Sequence, residues 1–173
     1  MTEAGDIAVG QRARLALRAR LEHLPRGRDL RRFLSALRTP ERSSALRAIR
    51  DGVVVTWTLR RRGVRPLLSV ESSTVAELDA ARAARVSAAV DTGLAMLPFA
   101  ATCLRRSLVL LHELRRLGLT ATLHVGVRVV AARTEAHAWV QVGGSVVNDD
   151  PRSTATYVPL ANGAIERLLP LLP

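Results

Sequence analysis

A cysteine, a histidine and an aspartate, met in that order, could together break an amide bond in this chain. Cys103 is the only cysteine. It stands where Thr102-Cys103-Leu104-Arg105-Arg106-Ser107-Leu108 opens an amphipathic helical pattern. His137 follows 34 residues later, inside the strand-like Ala136-His137-Ala138-Trp139-Val140. Twelve residues further, across a Gly143-Gly144 turn, comes the pair Asp149-Asp150. A thiol at a helix start, an imidazole on the strand that follows and a carboxylate beyond a turn are the parts of a cysteine nucleophile, its base and the group that orients the base.

The chemistry explains why these positions matter. A free thiol has a pKa of about 8.5 and is mostly protonated near neutrality. The unpaired N–H groups and positive dipole end of a helix start favour the thiolate, and the same N–H groups can donate to an oxyanion. On the strand over 136–142, His137, Trp139 and Gln141 share one face, while Ala138, Val140 and Val142 share the other. The small aliphatic face suits a core, which turns His137 and Trp139 toward whatever lies opposite, where the helix start is expected. The choice of carboxylate depends on hairpin register. A two-residue turn pairs residues summing to 287 and sets Asp150 opposite His137, whereas a three-residue loop from Gly143 to Ser145 sets Asp149 on the His137 face. His112 and His124 have no such partners and read as structural.

The elements that must hold these groups follow from periodicity. Leu15, Leu17, Leu21 and Leu24 mark one short helix, and Leu30, Phe33, Leu34 and Leu37 a second. Thr39-Pro40-Glu41 resembles a cap with proline at the first helical position, starting a third helix that runs to about Arg62. Residues 52–57 include three adjacent valines, a strand signal inside a helical context, and are assigned to that helix. Ser72-Ser73-Thr74 with Glu77 reads as a capping box for a helix from Val75 to about Met96, which Pro98 stops. The helix from Cys103 to Leu117 puts Leu104, Leu108, Leu111 and Leu114 on one face, with Gly118 just past its end. Leu119 to Val129 alternates strictly and reads as a half-buried strand. Residues 136–142 and 145–148 form a hairpin about Gly143-Gly144. The tail from Asp150 to Pro173 reads as loop and surface helix.

Composition narrows the class. A hydrophobic fraction of 48% argues against disorder. No apolar run approaches the roughly 20 residues of a membrane span, and the acidic Met1-Thr2-Glu3-Ala4-Gly5-Asp6 lacks the features of a signal peptide, so a cytoplasmic protein is expected. A lone cysteine makes no internal disulfide and lacks the companions of a thiolate zinc site, so neither metal nor cofactor is expected. The net charge of +11 invites nucleic acid. Against that, every one of the 26 basic residues is arginine, a pattern of GC-rich coding, and the five aromatics Phe33, Trp57, Phe99, Trp139 and Tyr157 are too scattered to stack bases. An acidic peptide or protein fits the charge better.

The stretch Leu97-Pro98-Phe99-Ala100-Ala101-Thr102-Cys103-Leu104-Arg105-Arg106-Ser107-Leu108, then Val125-Gly126-Val127, then Ala136-His137-Ala138-Trp139-Val140 and Asp149, resembles the lasso peptide biosynthesis B protein, a transglutaminase-like cysteine protease. The resemblance covers about residues 97–150. It implies a catalytic triad of Cys103, His137 and Asp149, since the family's carboxylate also lies twelve residues beyond its histidine. It further implies an α+β fold with a papain/transglutaminase-like core, a nucleophile helix packed on a small antiparallel sheet over 97–173, beside a helical N-terminal region over 1–96 that contacts precursor or partner. The implied reaction is removal of the leader from a ribosomally made lasso precursor peptide, freeing the core's N-terminal amine for a separate ATP-dependent cyclase. In that family a winged-helix recognition element captures the leader. Residues 1–96 are too poor in strands to supply one, so the resemblance implies a stand-alone protease that borrows this element from a separate protein. Acyl transfer on the same triad, and a non-catalytic peptide-binding role, are the competing readings.

Overall fold

The first long helix shows how the valine-rich stretch is resolved. In the computed structural model, which describes residues 25–68, 79–131 and 133–160, residues 52–57 lie inside one continuous helix, Arg42–Arg62. Val53 and Val54 face solvent while Gly52, Val55 and Thr56 are buried. The helical period, not the β-propensity of single valines, decides the local structure, because only a helix returns Ala45, Ala48, Gly52 and Val55 to one face.

The described residues form an α+β fold. In chain order the helices are α1 (Gly27–Ala36), α2 (Arg42–Arg62), the single turn α3 (Arg65–Leu68), α4 (Ala80–Leu94) and α5 (Cys103–Arg116). Strands β1 (Ala121–Val130), β2 (Arg133–Val142) and β3 (Ser145–Val146) follow, then the short helix α6 (Pro151–Thr154) and strand β4 (Val158–Pro159). The sheet is antiparallel with order β3-β2-β1-β4.

Several boundaries differ from those expected. α2 starts at Arg42 because the Thr39 hydroxyl donates back to the Ala36 carbonyl at 2.7 Å, closing the preceding turn instead of capping the next helix. α4 starts at Ala80, where the Asp79 carboxylate accepts from the Arg82 N–H at 2.8 Å. Its start is therefore set by Asp79, later than the expected Val75; the Ser72-Ser73-Thr74 box lies outside the described residues, as does the helix expected around Leu15–Leu24. β4 was not expected in the tail. It is carried by Pro159 and Val158 pairing with Gly126 and Val127, and so short a strand shows no alternation to read.

α5 is the axis of the molecule. A single apolar face was expected, yet Ser107, Leu108, Val109, Leu110 and Leu111 are all buried in succession. Helices α2 and α4 cover one side of α5, and β1 with β2 cover the other. Each fully buried leucine contributes about 2 kcal/mol. The core is continuous from Ala48 and Val55 through Val86 and Val90 to Leu108, Leu123 and Val140. It runs without interruption across position 96/97.

Candidate active site

β1 and β2 pair in register along their full length, setting Gly126 opposite His137 and His124 opposite Trp139. Ala121, Leu123 and Val125 join Ala138, Val140 and Val142 in the core against α5. His124, His137 and Trp139 occupy the other face, where Tyr157 joins them. The His137 ring lies 6.3 Å from Trp139 and 5.2 Å from Tyr157, and His124 stacks on Trp139 at 5.7 Å. Gly126 permits this closure: a Cβ there would stand 2.8 Å from Tyr157 Cβ and 3.0 Å from the Trp139 ring. The groups beside His137 are thus the rings of Trp139 and Tyr157, whereas the helix start was expected on this face and α5 packs on the opposite, aliphatic one. Burial lowers the pKa of His124, which fits a neutral packing role. His112 is likewise structural, with Nε2 2.9 Å from the Leu67 carbonyl.

The hairpin answers the question of the carboxylate in an unexpected way. Gly143 and Gly144 have φ of 57° and 80°, the two positive values that a two-residue type I′ turn requires. Gln141 pairs with Val146 and Val142 with Ser145, the register summing to 287. By register alone Asp150 would meet His137. Instead the ladder ends after the Val147 N–H donates to the Val140 carbonyl at 3.1 Å. The Val140 N–H is then taken by the side chain of Asn148, through Oδ1 at 2.8 Å. The chain bends there, and Asp149 bonds His137 Nε2 through Oδ2. Asp150 turns away to cap α6, accepting from the Arg152 N–H at 3.0 Å.

His137 and Asp149 are each about three-quarters buried, with side-chain exposures of 22% and 23%. Burial of the Asp149 carboxyl works to raise its pKa. The hydrogen bonds from His137 and from the Asp150 N–H, with the charges of His137 and Arg106, outweigh it and hold Asp149 below the ordinary carboxylate range. With Nε2 engaged, His137 keeps Nδ1 for a second partner.

Cys103 is the first residue of α5 and is half-buried against the core. Among the described residues no hydrogen bond joins it to His137 or Asp149. The three are related through the backbone that carries them: Ser107, one turn along α5 from Cys103, donates to the carbonyl of Ala138, the neighbour of His137, at 2.9 Å. Thr102, the residue before the helix, makes no side-chain cap. The first N–H to find a helical acceptor is that of Arg106, bonded to the Thr102 carbonyl at 2.9 Å. Among the described residues no hydrogen bond takes the N–H groups of the first turn, which can therefore meet an anion.

A cleft of about 480 Å³ lies beside this helix start, with Arg26 and Asp29 on one wall and without Cys103, His137 or Asp149 in its lining. Leu94, Leu97 and Phe99 line it, with Ala100 and Ala101 running directly into Thr102 and Cys103. Arg106 closes one wall, its guanidinium forked onto both oxygens of Asp91. Burial raises the pKa of Asp91 against the opposing influence of Arg106. Among the described residues no cluster of His, Cys, Asp and Glu could hold a metal ion, and no helix is long and apolar enough to cross a membrane.

Sequence reasoning named Cys103, His137 and both aspartates but passed over Ser107, Asn148, Arg106 and Tyr157. Ser107 stands between Arg105-Arg106 and the apolar run from Leu108 to Leu111, so no sequence signal marks it, and its full burial is seen only in the fold. Residues 51–162, well over half of the chain, match the family model of the transglutaminase-like superfamily, and the chain belongs to that superfamily, whose members generally use cysteine-type catalysis. Neither the curated proteins nor the solved structures yielded a match.

Proposed function

We propose that this chain is a cysteine peptidase of lasso peptide biosynthesis, with Cys103 as nucleophile, His137 as base and acid, and Asp149 as the orienting carboxylate. The observation that carries the reading is the His137–Asp149 pair: Nε2 is committed to a carboxylate held ionised, and Nδ1 is left for a thiol. The absence of a direct Cys103–His137 bond is ordinary for a free enzyme, since catalytic hydrogen bonds often tighten only with substrate bound. The superfamily match supports cysteine chemistry, and the Leu97 to Leu108 and Ala136 to Val140 motifs support the lasso assignment.

The Cys103 thiolate attacks the carbonyl at the leader–core junction, and the N–H groups of the first turn of α5 stabilise the oxyanion. His137 as imidazolium protonates the departing amine, then as base activates water against the thioester. The cleft beside Leu97 to Ala101 receives the precursor chain. A separate recognition-element protein delivers the leader, and the freed amine passes to the ATP-dependent cyclase.

Acyl transfer to an amine on the same three residues is the second reading, favoured by the superfamily match itself. One incubation of precursor, recognition protein and enzyme, analysed by mass spectrometry, separates the two. Free leader and free core are expected from the wild type and neither from Cys103→Ala. A product retaining the leader acyl group on an amine would establish transfer, and undiminished cleavage by Cys103→Ala would sink both.

A further inference from the structure

We infer that Ser107 and Asn148 are positioning residues that set the geometry of Cys103, His137 and Asp149 through one buried hydrogen-bonded chain. The inference rests on the catalytic reading of those three residues. Asn148 Oδ1 accepts from the Val140 N–H at 2.8 Å, Asn148 Nδ2 donates to Ser107 Oγ at 2.9 Å, and Ser107 Oγ donates to the Ala138 carbonyl at 2.9 Å. Ser107 is fully buried and Asn148 is 5% exposed.

Each anchor of this chain adjoins one functional residue. Ser107 lies one helical turn, about 6 Å along the axis, from Cys103. Ala138 follows His137 and Asn148 precedes Asp149 in sequence. Two polar side chains inside a leucine-rich core are costly unless satisfied, and among the described residues their partners are each other and the backbone of β2. The arrangement is therefore rigid, since a shift of α5 along the sheet or of residue 148 along β2 breaks a buried bond.

The network also explains the carboxylate. The Val140 N–H would otherwise continue the hairpin ladder in the 287 register, bringing Asp150 opposite His137. Because the Asn148 amide takes that N–H, the strand stops, the chain bends, and Asp149 swings to Nε2. The selection of Asp149 over Asp150 is made by its neighbour.

The test compares Ser107→Ala, Asn148→Ala and the double variant at a temperature where each is folded, with two readouts. In precursor cleavage, Asn148→Ala is expected to lower kcat about a hundredfold with KM little changed, the loss that a misplacement of about 1 Å produces. Ser107→Ala should lower kcat at least about tenfold, and the double variant should be no worse than Asn148→Ala alone, because the two act as one unit. The second readout needs no activity: the carboxyl carbon of Asp149, followed by NMR, should titrate nearer the ordinary carboxylate range in Asn148→Ala than in the wild type. Folded variants that merely melt earlier, with kcat and the Asp149 titration unmoved, would overturn the inference. If Asn148→Ala does not fold, Ser107→Ala decides by the same two readouts. Should the wild type prove to have no peptidase activity, the catalytic reading fails, while the Asp149 titration still tests the positioning.

Discussion

Two polar clusters, one carried by α5 near its C-terminal end and one carried by β2 and Asp149 beside its N-terminal half, are built on opposite principles. In the first, Glu113 is 1% exposed. It accepts from Arg47 at 2.9 and 3.3 Å and also from Arg116. Its burial works to raise its pKa, but the bonds from Arg47, Ser44 and Arg116 outweigh that and hold it low. Both cations are permanently charged, every oxygen is engaged, and nothing is left over for chemistry. In the second, the carboxylate of Asp149 is matched to an imidazole instead. That partner can exchange a proton and has a second nitrogen, and the pair is reachable by solvent. A saturated ion pair joins helices; an unsaturated pair with an exchangeable proton can work on a substrate.

If this contrast holds, variants in the two clusters should fail differently. The largest effect is expected from His137→Ala, which should lower kcat about a thousandfold, as loss of a positioned general base does. Thermal stability should fall less than in Glu113→Ala, since only a part-exposed bond and the ring contacts are lost, and a folded His137→Ala with wild-type kcat would erase the distinction. Glu113→Ala should do the reverse. Removing one member of a buried charge cluster costs about 3 kcal/mol, seen as a lower urea midpoint, with kcat per folded molecule preserved.

Asp149→Asn comes next, with kcat reduced at least about tenfold. A thiolate–imidazolium pair leans less on its third member than a serine triad, where the corresponding change costs about 10⁴. Asp150→Asn should change kcat less than about twofold, because an amide oxygen can still cap α6. A severe loss confined to Asp150→Asn would show that the bend at Asn148 does not persist in the working enzyme.

The smallest expected effect is on pH dependence. Both Glu113 and Asp149 have folded pKa values below their ordinary ones. Their stabilisation is fully present above the unfolded pKa of about 4 and is lost as pH falls through the lower folded value. Acid unfolding followed by circular dichroism should be less steep in Glu113→Gln than in the wild type below about pH 4. An unchanged slope would mean that Glu113 is not held low in the folded chain.

Much of the fold was legible where one physical signal dominates. The alternation from Leu119 to Val129 produced β1, and the leucine spacing from Leu104 to Leu114 with Gly118 produced α5 and its end. The two glycines at 143 and 144 produced the hairpin. Less was legible where signals compete. Thr39-Pro40 looks like a cap, but the Thr39 hydroxyl bonds backward to Ala36, and the cap of α4 is Asp79, which no capping pattern in the sequence singles out. The two-residue strand β4 has too few residues to show a period at all.

By itself the sequence determined the residue types able to do chemistry and the elements that carry them. A single thiol, an imidazole on an alternating strand and two adjacent carboxylates are facts of composition and period, and both are local. Which carboxylate meets His137 was decided by tertiary structure alone. The turn chemistry at Gly143-Gly144 favours Asp150, and only the buried bonds from Asn148 to Val140 and Ser107 end the ladder and deliver Asp149. Those bonds join positions 41 and 8 residues apart. No local pattern encodes them, because their strength comes from a dry interior that exists only once α5 is packed on the sheet.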